Sequence, residues 1–303
     1  MSVATGEQSN SLFKPERGLF HARRRIAVYL SVGLTTIFAG AAILFLSYFV
    51  FYVAREGIQY INLDFFTQEP PLSNSGGGGI VTALEGSLVM LVIASIIGIP
   101  LGMAVGIYLA EFGRGRLADV VRFLVDTLTG LPTIVFGLFI WVLIVAPTRT
   151  FSGLAGGLAL SIIMVPTVAR ATEEVLRLVP GSLREASIAL GGTESRTILR
   201  VVVPAARSGI ITGMLLALAR VAGETAPLLM TSLGNNFFIP VDQLNITNTP
   251  LDAVPLRIFI FTLSPFPVQQ HQAFAAALIL LVLVIVTSLL VRLATGGFKE
   301  RGR

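Results

Sequence analysis

The chain has 303 residues, of which 54% are hydrophobic and only 13% charged, with a net charge of +5 and no cysteine; its mean hydropathy is +0.82. A soluble domain carries about 25% charged residues, so this composition excludes a water-coated globule, and the long apolar runs exclude a disordered or fibrous chain. Without cysteine there is no disulfide framework, thiolate metal site or cysteine nucleophile, and the basic excess falls in short polar gaps rather than in one stripe that would suit nucleic acid.

A bilayer core about 30 Å thick calls for roughly 20 mostly apolar residues per spanning helix. Six segments meet that need in chain order: residues 26–54, 87–110, 120–146, 150–169, 208–233 and 272–291. The first follows Arg23-Arg24-Arg25 and continues uncharged to Ala54, too far for a signal peptide, whose apolar region covers about 7 to 15 residues. The second carries Gly98, Gly102 and Gly106 at four-residue spacing, a pattern that lets helices pack closely, and Gly209 and Gly213 offer the same in the fifth. Glu85, just before the second segment, reads as an outer-edge residue facing water. The third holds Arg122 and Asp126 near its start, one turn apart and able to pair.

Placing the N-terminus inside assigns all but four of the 22 cationic side chains to the cytoplasm; Arg55, Arg149 and Arg257 stand outside and Arg220 lies within a span. The positive-inside bias therefore predicts both termini in the cytoplasm, a parity that six spans satisfy. Residues 55–79 and 234–271 form long external segments, and in the second of these Leu256 to Leu263 is an apolar patch suited to an interfacial or re-entrant helix.

Residues 170–207 form a long cytoplasmic loop whose apolar positions recur at three- and four-residue intervals, as in amphipathic helices interrupted at Gly191-Gly192 and stopped by Pro204. Such helices fit either the membrane surface or a cytosolic partner.

In the fifth segment Arg220 lies deep in the bilayer, where a charge costs about 2.5 to 3.5 kcal/mol or more. Glu224 is one turn on and able to pair with it. The pair reads either as a structural neutralisation or as the lining of a polar path, in which a planar guanidinium suits an oxyanion. Pro227 removes one backbone hydrogen bond and frees the carbonyl of Gly223, which predicts a kink or break within 223–227, partly satisfied by Thr225, beside those charges. Arg170, with Glu173 and Glu174 at the cytoplasmic end of the fourth segment, reads first as surface ion pairing and second as a gate.

Glu185-Ala186-Ser187, then Gly191, then Val201-x-Val203-Pro204 resembles the coupling-loop motif of bacterial ABC importer permeases, with Ser187, Val201 and Val203 as conservative departures. Residues 107–111, 130–138, 165–167, 173–174 and above all 219–228 resemble the phosphate-specific permease subunits of that family. The resemblance implies an all-α membrane protein with six transmembrane helices, the type-1 ABC importer permease fold and a cytoplasmic coupling helix. It divides the chain into a cytoplasmic tail (1–25), a first transmembrane helix with an external loop (26–79), a permease core (80–296) and a second tail (297–303). It implies a phosphate pathway at Arg220, Glu224, Thr225 and Arg170, a helix break at Gly223 and Pro227, and ATPase contacts at Glu185, Ala186, Ser187, Gly191 and Gly192.

The implied partners are a second permease (PstC-like), an ATPase dimer (PstB-like) and an external phosphate-binding protein (PstS-like), all at a bacterial plasma membrane. The chain has two histidines and no glycine-rich loop ending in lysine, so no catalytic constellation, cofactor or metal site is expected and ATP hydrolysis falls to a partner. The alternatives are a permease for molybdate, tungstate or sulfate, or a self-contained secondary transporter or channel.

Overall fold

The computed structural model describes residues 17–72, 77–239 and 245–296. Residues 1–16 and 297–303 of the expected tails, and with them Lys14, Lys299, Arg301 and Arg303, lie outside the described residues, as does Gly76 in the first external segment. Among the described residues all regular structure is helical. The chain divides into two bodies, residues 1–52 and 53–303. The first consists of most of α1 (Arg17–Gly57), whose apolar side chains, Leu44 and Phe45 among them, are exposed. A helix that is apolar on every side has no single core-facing stripe, and such a helix suits a lipid environment.

In the second body, α1 ends at Gly57, where the missing side chain admits the backbone of Phe274. There follow α2 (Leu63–Thr67), α3 (Val81–Phe112), α4 (Arg116–Gly130), α5 (Thr133–Thr148), α6 (Gly153–Arg177), α7 (Gly181–Ala189), α8 (Glu194–Ala222), α9 (Ala226–Thr231), α10 (Val254–Thr262) and α11 (Pro267–Gly296). Among the described residues five helices, α1, α3, α6, α8 and α11, are long and apolar enough to cross a membrane, and α4 with α5 makes a sixth span if that bent pair counts as one.

The core is built around α6, with Leu160, Ile163, Met164 and Val168 buried against Met90 and Ala94 of α3, Ala217 and Val221 of α8, and Leu228 of α9. The α3 glycine stripe sets this packing. A Cβ on Gly102 would lie 2.7 Å from that of Val168, and one on Gly106 2.6 Å from that of Thr172, so α3 approaches α6 closer than any larger residue permits. On α8, Gly213 meets Ala171 in the same way.

Three sequence expectations change. Residues 120–146 do not form one straight span: α4 and α5 meet at 102°. Pro132 disfavours helical geometry at Leu131, and both residues are extended, at φ −74°, ψ 142° and φ −58°, ψ 131°. Pro204 does not stop a helix, because a π-helical turn at Ile198–Val202 widens the coil before it and α8 runs unbroken from Glu194 to Ala222. Arg122 does not pair with Asp126. It bonds Asp119 and Glu173, and Asp126 bonds Arg170, since α4 lies against α6 and offers the longer-range partners.

Candidate functional site: the α8–α9 break and the docking segment

Helix α8 ends at Ala222, where the N–H groups of Gly223 and Glu224 donate to the carbonyls of Arg220 (3.2 Å) and Val221 (3.1 Å). The helix resumes at Ala226 with Pro227 in its first turn, where a missing N–H leaves no intrahelical bond unmade. The carbonyl of Thr225 accepts from Leu228 and Leu229. The broken segment is backed by α5: a Cβ on Gly137 would lie 2.6 Å from Cα of Pro227.

Arg220, on the last turn of α8, is exposed. Among the described residues it forms no ion pair, so the expected Arg220–Glu224 bond is absent. Pairing at i,i+4 needs a continuous helix, and the chain leaves helical geometry between the two. Glu224 is half-buried instead and lines a space of about one water with Ser87, Leu160, Leu228 and Pro255.

Arg170 lies elsewhere. Its neighbour Ala171 packs on Gly213, seven residues before Arg220, which is about 10 Å along α8 at 1.5 Å per residue. Its donors are engaged by Asp126 (3.2 Å), Glu173 (3.3 Å) and Glu174 (3.6 Å). Glu173 is 1% exposed and also holds Arg122 (3.1 Å) and Arg177 (2.7 Å). Glu224 and Thr225 thus follow Arg220 along the chain with no side-chain bond to it among the described residues, and Arg170 belongs to a separate charge network that ties α4 to α6.

The segment from α7 to the start of α8, expected to meet an ATPase, carries mostly exposed side chains. Glu185, Ala186 and Gly191 are exposed, Leu190 is 90% exposed, and Leu183, Ala186, Ser187, Leu190 and Arg196 line a groove. Gly191 takes φ +83°, a value that favours glycine. It turns the chain so that the N–H of Gly192 bonds the Ser187 carbonyl (3.0 Å) and the Ser187 and Thr197 hydroxyls meet at 2.8 Å. The serine that departs from the family pattern thus closes the loop onto the start of α8.

Two features escape the sequence reading. Arg257, expected as an external loop cation, is 2% exposed: it bonds Asp252 (2.6 Å), the Asn236 side chain (2.7 Å) and the Asn235 carbonyl (2.9 Å). Burial pushes the Asp252 carboxyl above its ordinary value, against the opposing pull of Arg257. The signal lay in Pro255 one turn past Asp252, which marks a helix start; the apolar patch is α10, with Leu256, Arg257 and Phe261 buried. Glu85, expected to face water, is half-buried, with a hydrogen bond to the backbone of Ile239 and with its Oε1 enclosed and unbonded among the described residues, because neighbouring Gly86 packs on the backbone of Asp252. The second feature is the pairing of Arg184 with Glu111 across 73 positions, at 3.0 and 2.6 Å.

The model of the family described as binding-protein-dependent transport system inner membrane component matches residues 98–297. The phosphate transport system permease protein PstA of Yersinia pestis is 44% identical over 271 residues, 89% of each chain. That of Haemophilus influenzae is 40% identical over 265 residues, 87% of this chain and 92% of the other. In fold, a chain of the inward-facing MetNI methionine ABC transporter superposes with a TM-score of 0.57 at 18% identity, covering 73% of this chain and 95% of that one. A chain of a bacterial alginate ABC transporter superposes at 0.60 and 15% identity, covering 91% and 96%.

Proposed function

We infer the role of this chain from its kinship: it belongs to the binding-protein-dependent transport system inner membrane components, and its curated relatives at 38% to 44% identity over about nine-tenths of its length are phosphate permeases. It is a permease subunit of an ATP-driven importer of inorganic phosphate. The observation that carries the path assignment is Arg220, a permanent cation exposed on a membrane-spanning helix beside a backbone break. Lipid cannot cover such a group without a cost of several kcal/mol; a second permease and a water-filled path between the two can. A planar guanidinium presents paired donors to a phosphate oxygen pair, and the irregular backbone at 223–225 adds polar groups at the same depth. Glu224 and Thr225 flank that passage. Arg170, held by three carboxylates, stands at the α4–α6 edge as a secondary contact.

The partners are a second permease of PstC type, an ATPase dimer of PstB type and an external binding protein of PstS type. Both termini face the cytoplasm, where most of the arginines lie. The exposed α7 segment, from Glu185 through Ala186 and Ser187 to Gly191 and Gly192, seats in the ATPase. ATP-driven closure of the ATPase dimer displaces α7, opens the bundle outward and admits phosphate from the binding protein to Arg220. A switch from 1:99 to 99:1 needs a bias of about 5.5 kcal/mol between states.

The test is ATP hydrolysis by the four-component complex in proteoliposomes, with the binding protein presented with phosphate, sulfate, molybdate or tungstate in turn. Stimulation by phosphate above the others supports the reading; stimulation by another oxyanion alone reassigns the cargo. Uptake of phosphate by this chain without ATP or partners would replace the importer by a secondary transporter.

A further inference from the structure

Helix α7 projects from the bundle, with most of its side chains exposed. Among the described residues, the only ion pair that joins α7 to another element is Arg184 with Glu111. Nε and Nη2 of Arg184 donate to the two carboxylate oxygens of Glu111 at 3.0 and 2.6 Å, a bidentate pair of the stronger class. Nη2 also donates to the carbonyl of Leu176 (3.1 Å) and Nη1 to that of Val179 (2.8 Å). One side chain thus grips the cytoplasmic-facing ends of two core helices at once: α3 through Glu111, and α6 through the carbonyl of its Leu176 and that of Val179 just beyond it.

The local structure suits that role. Glu111 lies in the π-helical turn Tyr108–Phe112 that ends α3; an extra residue in a turn advances the helix face by about 100°. The Glu111 side chain is only 7% exposed, so removing Arg184 would leave a largely buried carboxylate without its ion-pair partner. Behind it, the Gly98, Gly102 and Gly106 stripe locks α3 to α6, and the same core continues through Met90 and Leu160 to Leu228 beyond the α8–α9 break.

We propose that Arg184 and Glu111 form the pin through which displacement of the docking helix α7 is delivered to α3 and α6, and so to the break beside Arg220. The pin rests on the importer reading, in which α7 is the segment that the ATPase moves. Arg184 and Glu111 are positioning residues; neither meets phosphate or ATP.

The experiment uses the full complex with Arg184→Gln, Glu111→Gln and the double variant. A substrate-independent reporter is read in separate complexes in which uptake is not scored: Gly223→Cys in this cysteine-free chain, with its labelling by an impermeant maleimide compared with and without ATP and vanadate. Each single variant is expected to keep the ATPase bound, to lower phosphate uptake per ATP by at least about tenfold, and to lose the nucleotide-dependent change in labelling. The double variant is expected to be no worse than either single one, the non-additivity of residues acting as a unit. In Glu111→Cys/Arg184→Cys, without the reporter, closing the pair with a short bifunctional thiol reagent is expected to restore uptake.

Single variants that retain uptake per ATP and the labelling change would overturn the proposal. So would loss of ATPase co-purification, which would make the pair a folding contact. Failure of the unsubstituted complex to take up phosphate would sink the cargo assignment alone, since the labelling change still reads the pin.

Discussion

Arg220 and Arg257 carry the same charge within one body, and their surroundings are opposite. Arg257 is buried and its donors are met inside the chain by Asp252, the Asn236 side chain and the Asn235 carbonyl, with the Phe261 ring 5.2 Å away. Arg220 is exposed and has no ion pair among the described residues. A charge satisfied by its own chain shapes that chain. One left unmet on a membrane-spanning helix is open to a group that the chain does not supply; the role proposed above fills that place with a second permease and a passing anion.

Arg257 differs from Arg220 in being needed for folding, and the largest expected effect follows from that. Asp252→Ala leaves a buried guanidinium uncompensated and is expected to cost about 3 to 5 kcal/mol, whereas replacing both residues with apolar ones of similar volume recovers most of the loss; thermal unfolding in detergent measures both. Gly102→Val forces a side chain against Val168 and the Val165 carbonyl, with an expected loss of about 1 to 3 kcal/mol in the same assay. Gly191→Val places a branched residue at φ +83°, at a cost of about 1 to 2 kcal/mol confined to the turn between α7 and α8. Weakened co-purification of the ATPase, with the melting temperature of the bundle nearly unchanged, is the signature to look for.

The smallest effect is a pH slope. Burial raises the Asp252 carboxyl above its ordinary value of 3.8, so the folded state binds that proton more tightly than the unfolded chain. Its contribution to stability is therefore fully present below 3.8 and is lost as pH rises through the raised value. Asp252→Asn is expected to flatten that part of the stability profile measured by unfolding at several pH values.

Apolar length made most of the spans legible, because lipid imposes a minimum run of apolar residues that few other environments do. The α3 glycine stripe was legible for a related reason: spacing alone places Gly98, Gly102 and Gly106 on one face. The turn between α4 and α5 was hidden because hydropathy continues across Leu131-Pro132 and says nothing about direction. The missing Arg220–Glu224 bond came from carrying helical periodicity through a segment where Gly223 and Pro227 already argued against it. Arg184 with Glu111, and Arg257 within its cage, depend on contacts that tertiary packing creates; in one sequence a paired arginine and a solvated one look alike.

The most direct test is ATP-driven uptake of radiolabelled phosphate by proteoliposomes holding the full complex with Arg220→Gln. The expected result is an intact assembly, with ATPase and second permease bound, and uptake reduced by about a hundredfold or more, as befits loss of a charged partner for the anion. Uptake at the unsubstituted rate by that complex would contradict it.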